Sequence, residues 1–157
     1  MMYRDAALSR RCLFLSTGFY EWRHVPIISK KRQEFKATNK IMYRFHRKES
    51  EVFYSRYWNA WTDKDTGEVA DTCAIVTTKA NYVLQQIQIS KKRMPTILTE
   101  ELAAEWLSTG LSEERIKDLA TFQIPVNQLH AYTVRKDFKT ALDPTEPFIY
   151  DGLSEII

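Results

Sequence analysis

The stretch Arg11 to Trp22, RCLFLSTGFYEW, constrains the fold of this chain more than any other. Leu13, Leu15, Phe19 and Tyr20 favour extended backbone and Gly18 interrupts them, which predicts strand, kink, strand. Its one carboxylate, Glu21, lies between Tyr20 and Trp22. Burying such a group without a partner is costly. Glu21 must therefore find one, hold its proton more tightly, or line the rim of a cleft. A carboxylate beside aromatic walls can pass a proton, so Glu21 is the best acid/base candidate in the chain. By residue chemistry alone, an edge-strand glutamate facing water is the stronger reading.

Further along, Ile41, Tyr43 and Phe45 alternate with Met42, Arg44 and His46, the period of a half-buried strand. Val52 to Trp58 is another, with Glu49-Ser50-Glu51 as the turn between them. Asp65-Thr66-Gly67 signals a hairpin turn within Asp63 to Glu68. The β-rich run Thr72 to Thr78 predicts a central strand. Asn81 caps a short helix over Tyr82, Leu84 and Ile87, and Met94-Pro95 ends it and opens a strand, Thr96 to Leu98. Thr99 caps a helix over Glu100 to Ser108 with Leu102 and Trp106 inward, and Ser112 caps one with Ile116 and Leu119 inward. Leu129 to Val134 is a last strand. Pro26 to Asn39 reads as a basic loop, and Thr140 to Ile157 as an extended tail. Many strands and a few short helices without β-α-β alternation make the class α+β.

A chain of 157 residues, 44% hydrophobic, suits a single domain, 1–157, with a real core. The net charge of +3 is modest but unevenly placed. Arg23 to Lys48 carries nine basic residues and one acidic, whereas Asp137 to the end carries five acidic and one basic. Such asymmetry suits a polyanion footprint, and equally a solvated hairpin rim. Cys12 and Cys73 lie in apolar, strand-like runs and read as buried thiols. Three scattered histidines and two such cysteines build no metal set. With no secretory signal and no apolar run near the length of a membrane span, the expectation is a soluble cytoplasmic protein, nucleoid-associated if it binds DNA, with no membrane partner.

Arg11-Cys12-Leu13, Gly18-Phe19-Tyr20-Glu21-Trp22 and Lys92-Arg93-Met94-Pro95-Thr96-Ile97-Leu98, with a Val-Thr-Thr strand between them, resemble the SRAP family, that is, the SOS-response-associated peptidase or abasic-site processing family. The resemblance runs from near Tyr3 to roughly the C-terminus. It implies a mixed, mostly antiparallel curved sheet or barrel, and a DNA damage response protein that binds single-stranded DNA at abasic sites without a cofactor. In that family an N-terminal cysteine attacks the ring-opened aldehyde. Its amine makes the imine and its thiolate closes a thiazolidine, giving a DNA–protein crosslink. The same cysteine explains self-processing of a leader, hence the name peptidase.

Carried over residue by residue, Glu21 matches the family's motif glutamate and Arg93 its DNA-facing arginine, whose fork of donors suits a phosphate. Lys91 and Lys92 add charge beside it. Trp22 can stack on a base, or be a core tryptophan. Thr77 can reach a phosphate, though a strand threonine usually does no more than build a strand. The family's histidine falls at Gln88 with the longer spacer and at Lys91 with the shorter one. Gln88 exchanges no proton near neutral pH, and Lys91 would need desolvation to do so. His24, close to Glu21 in sequence, is a fallback.

The departures bear on activity. The chain begins Met1-Met2-Tyr3, with no cysteine at position 2 and no upstream Asn-Ala-Arg segment. Leu15-Ser16-Thr17 stands where the family usually reads Pro-Ala-Asp, and Arg56-Tyr57 where it has small and apolar residues. Two accounts fit: an N-terminally incomplete SRAP domain, or a divergent, catalytically reduced paralogue. Enzymatic activity stays open. The expectation for the chain as it stands is that it makes no thiazolidine. The alternative function is a non-catalytic single-stranded nucleic-acid-binding domain using Arg23 to Lys48, Trp22 and Arg93, or a degenerate remnant. Oligomeric state is not legible.

Overall fold

Gly18 falls at a true break: β1 (Arg11–Ser16) precedes it and β2 (Phe19–Ile28) follows. Its φ is +153°, and a Cβ at this position would lie 2.2 Å from the carbonyl oxygen of Phe45. Only glycine fits so close an approach of two backbones. The two strands then enter different compact units, one comprising Met1–Ser16, Glu51–Lys79 and Met94–Ile124, the other Thr17–Ser50, Ala80–Arg93 and Pro125–Ile157. The structure, a computed structural model, describes residues 4–28, 35–47, 51–87 and 91–156.

In the first unit, β4 (Val52–Thr62) lies between β1 and β5 (Val69–Ile75), and β8 (Ile97–Leu98) also pairs with β4. All these pairings are antiparallel. Helices α3 (Glu100–Leu107) and α4 (Glu113–Thr121) pack a core of Leu98, Ala103, Trp106, Ile116 and Leu119 against Leu13, Phe53 and Tyr57. Both helices start where capping residues predict: Thr99 accepts the Leu102 N–H, and Ser112 the Arg115 N–H. Their C-terminal carbonyls are satisfied from outside. The Thr78 and Thr96 hydroxyls donate to Thr121 and Ala120 carbonyls at 2.9 and 2.8 Å. Arg11 donates to the Trp106 and Ser108 carbonyls at the end of α3, and to Ala7 and Leu8 in α1 (Arg4–Ser9).

In the second unit, β3 (Phe35–Arg47) lies between β2 and β9 (Leu129–Thr133), again antiparallel. The short helix α2 (Tyr82–Ile87) packs on β2 and is capped by Asn81, whose Oδ1 accepts the Leu84 N–H at 3.1 Å. The C-terminal segment is pinned to this sheet. Tyr20 and Tyr132 hydroxyls donate to Pro144 and Thr145 carbonyls, and the Phe148 N–H to Thr133. Separately, β6 (Thr77–Lys79) and β7 (Arg93–Pro95) form a two-stranded ladder.

The class is α+β and mostly antiparallel, as expected, but among the described residues the strands form three separate sheets and no closed barrel. Other expectations are corrected. The run from Thr72 is no central strand. Among the described residues β5 pairs only with β4 and is almost wholly exposed, because β-branched residues suit an edge as well as a centre. Pro26 to Asn39 is not all loop, since Pro26 pairs with Thr38 and Ile27 with Ala37. Residues 29–34 and Glu49-Ser50 lie outside the described residues. Cys73 is exposed and Cys12 half-buried. Burial pushes the Cys12 thiol up, Cys73 adds to this, and Arg56 opposes it.

Candidate nucleic-acid interface

Alternation along β2 sorts its side chains onto two faces. Tyr20 and Trp22 share one and pack against Met42, Val134 and Phe138, with the Tyr20 and Phe138 rings 4.8 Å apart. Trp22 is thus half-buried and partly committed to packing. Phe19, Glu21 and Arg23 share the other face. Phe19 stacks on the fully buried Phe45 at 4.8 Å, and Glu21 lies directly opposite the buried Tyr43. Glu21 is half-buried, and its Oε1 accepts the Trp22 N–H at 3.1 Å. Two residues on, Arg23 donates to the Tyr43 hydroxyl at 3.1 Å and to the Ser154 carbonyl and hydroxyl, each at 2.7 Å. The carboxylate therefore lies on a largely apolar sheet face, beside an arginine already engaged elsewhere. His24 points to the opposite face from Glu21, by the same alternation. His46 and His130 oppose each other across β3 and β9, their rings 5.2 Å apart.

The second group of candidates follows α2. The Ala80 N–H donates to the Lys92 carbonyl at 2.9 Å, so the segment leaves and returns to one point. Gln88 lies outside the described residues. Lys91, Lys92 and Arg93 are all exposed, and Lys92 alone among described non-glycine residues has positive φ, at +46°. A lysine held there is strained, and such strain gathers at functional sites. Nothing in the lysine-rich run signals it; glycine would be the usual choice. Thr77 is exposed on β6 of the first unit. The second unit thus holds Glu21, Trp22 and Lys91 to Arg93, while Thr77 belongs to the first. The grips of Arg11 and Arg23 escape a reading of spacing, because their partners are far along the chain. Among the described residues, no three His, Cys, Asp or Glu side chains gather as a metal site, and no helix is long and apolar enough to cross a membrane.

Comparison with known proteins adds the following. A family model described as SOS response associated peptidase (SRAP) matches residues 1–141. The chain is 35% identical over 107 residues to the abasic site processing protein YoqW of Bacillus subtilis, covering 68% of this chain and 42% of that protein. It is 29% identical over 133 residues to the abasic site processing protein YobE of the same organism, covering 84% and 54%. The crystal structure of a protein from Bacteroides thetaiotaomicron superposes with a TM-score of 0.75 at 34% identity, covering 92% of this chain and 57% of that one. The chain spans about half the length of these relatives.

Proposed function

From the premise that this chain belongs to the SOS response associated peptidase family, we propose that it serves the DNA damage response by binding single-stranded DNA at abasic sites. The names of YoqW and YobE support the substrate class. The observation that carries the reading is the segment Lys91-Lys92-Arg93, three successive exposed cations on backbone strained at Lys92. Arg93 takes a phosphate through its planar fork, and the two lysines act as point charges beside it. Each phosphate neutralised releases counterions. Glu21 is the acid/base of the family's crosslinking chemistry, half-buried on the face of β2 that it shares with Phe19 and Arg23. Trp22 offers a base only the part of its ring that Met42, Val134 and Phe138 leave uncovered. Gln88 stands in for the family's histidine without its proton chemistry, and Thr77 is a phosphate contact of its own unit.

The test is the affinity of the full chain for a single-stranded oligonucleotide with and without one abasic site, read by fluorescence anisotropy over a salt series and then by denaturing gel. The proposal expects tighter binding to the abasic strand and steep salt dependence. Equal affinity for both strands would favour the non-catalytic binding domain, and no affinity for either would overturn both. A covalent band would show that the chain crosslinks in its own right.

A further inference from the structure

We propose that β5 is a self-association edge: a second copy of this chain adds its own β5 antiparallel, about a two-fold axis at Thr72. Among the described residues β5 pairs on one side only, with β4, from Arg56↔Ile75 to Thr62↔Val69 without a bulge. Every residue of the strand is exposed except the half-buried Ala74. Proteins normally blunt such an edge with proline, lysine, a bulge or a covering element. This one, Val-Ala-Asp-Thr-Cys-Ala-Ile, has a single charge, Asp71.

The sequence of the edge selects both partner and register. Opposed residues in an antiparallel pair share a face, so a two-fold axis must fall on a residue. Centred on Asp71, like charges would meet, which is unfavourable. Centred on Cys73, the ends of the strand would overhang. Centred on Thr72, the whole strand pairs: Val69 meets Ile75, Ala70 meets Ala74, Thr72 meets itself, and Asp71 meets Cys73. Charge complementarity points the same way. Arg56 shares a face with Cys73 and donates to its Sγ at 2.9 Å, with the guanidinium 4.4 Å over the Phe14 ring. Its Nε is buried without a hydrogen-bond partner among the described residues. Asp71 of the second copy would arrive opposite Cys73, beside that guanidinium. Within one chain Asp71 instead lies opposite Ala60, four positions along β4 from Arg56. The axis makes the Arg56–Asp71 contact twice. Phe14, Trp58, Val69 and Ile75 are large exposed apolar side chains on the same sheet, ready to be covered.

Sedimentation velocity of the full chain over a concentration series tests this. The expected result is a monomer–dimer equilibrium that D71K and R56E each weaken about tenfold or more, and that the double variant R56E/D71K restores, since both charges of each pair are then reversed. Asp71 is exposed, so D71K tests the interface without touching the core. Should R56E not fold, Thr72→Cys in a Cys73→Ser background decides, because directly opposed cysteines would crosslink two copies under oxidation. A wild-type monomer at every concentration, charge variants that dimerise like wild type, a double variant no better than the singles, or a Thr72→Cys chain that stays monomeric when oxidised would overturn the proposal.

Discussion

The two strands separated by Gly18 come from one short sequence block and serve opposite ends. In β1, Arg11 directs its guanidinium inward along the chain, closing the carbonyl ends of α1 and α3 while Trp106 returns a hydrogen bond from its indole to Cys12. Its polar chemistry is consumed by the fold. In β2, Glu21 sits on a sheet face among apolar side chains, and the cations that follow α2 point to water. Polar groups satisfied by long-range backbone partners hold a structure together. Lys91, Lys92 and Arg93 are instead exposed, on backbone strained at Lys92. One motif block thus places its charged residues in two ways: Arg11 closes helix ends, and Glu21 lies half-buried on a face of β2.

The break between the strands should be the least tolerant point. Gly18→Ala drives a Cβ against a backbone oxygen that cannot move aside. It should cost about 3 kcal/mol or more in urea denaturation, and an unchanged midpoint would refute the close approach. Arg11→Leu removes four donated hydrogen bonds, and should lower stability by about 2–3 kcal/mol. DNA affinity per folded molecule should stay as it was. A specific loss of affinity would move Arg11 to the functional side of the comparison. Arg93→Ala should do the reverse, weakening DNA binding about tenfold and lowering the salt slope by about one, with little change in thermal midpoint.

Acid should make the smallest difference, and in both units alike. Backbone N–H groups of Thr66 and Asp65 hold the Asp63 carboxyl below its ordinary value, and Arg115 does so for Glu105. In the second unit Arg135 lowers Asp137, and the Thr145 hydroxyl and N–H lower Asp143. Each carboxyl ionises more readily folded than unfolded. Its stabilisation is present above the unfolded value and is lost as pH falls through the folded one. The thermal midpoint should therefore fall gradually below about pH 4. A flat or rising midpoint there would contradict these contacts.

Local chemistry was legible in the sequence. Gly18 marked its break, Thr99, Ser112 and Asn81 capped the helices they precede, and Asp63 to Glu68 closed the β4–β5 hairpin. What was not legible depends on distant partners. The run from Thr72 has the composition of a central strand, and only the other strands decide that it is an edge. Arg11 reaches carbonyls 95 and 97 residues away. Basic residues between Pro26 and Asn39 suggested a loop, yet Pro26 and Ile27 pair with Thr38 and Ala37, which only the partner strand decides. For the candidate site, residue types were readable, but that Trp22 packs on Met42 and His24 faces away from Glu21 follows only from the pairing of β2 with β3.

Hydrogen–deuterium exchange of the full chain, with and without single-stranded DNA carrying one abasic site, puts this division to the most direct test. The account predicts added protection in β2 and in the Lys91 to Arg93 segment, with exchange in β1, α3 and α4 unchanged. Protection centred on β1, α3 and α4 instead would contradict it.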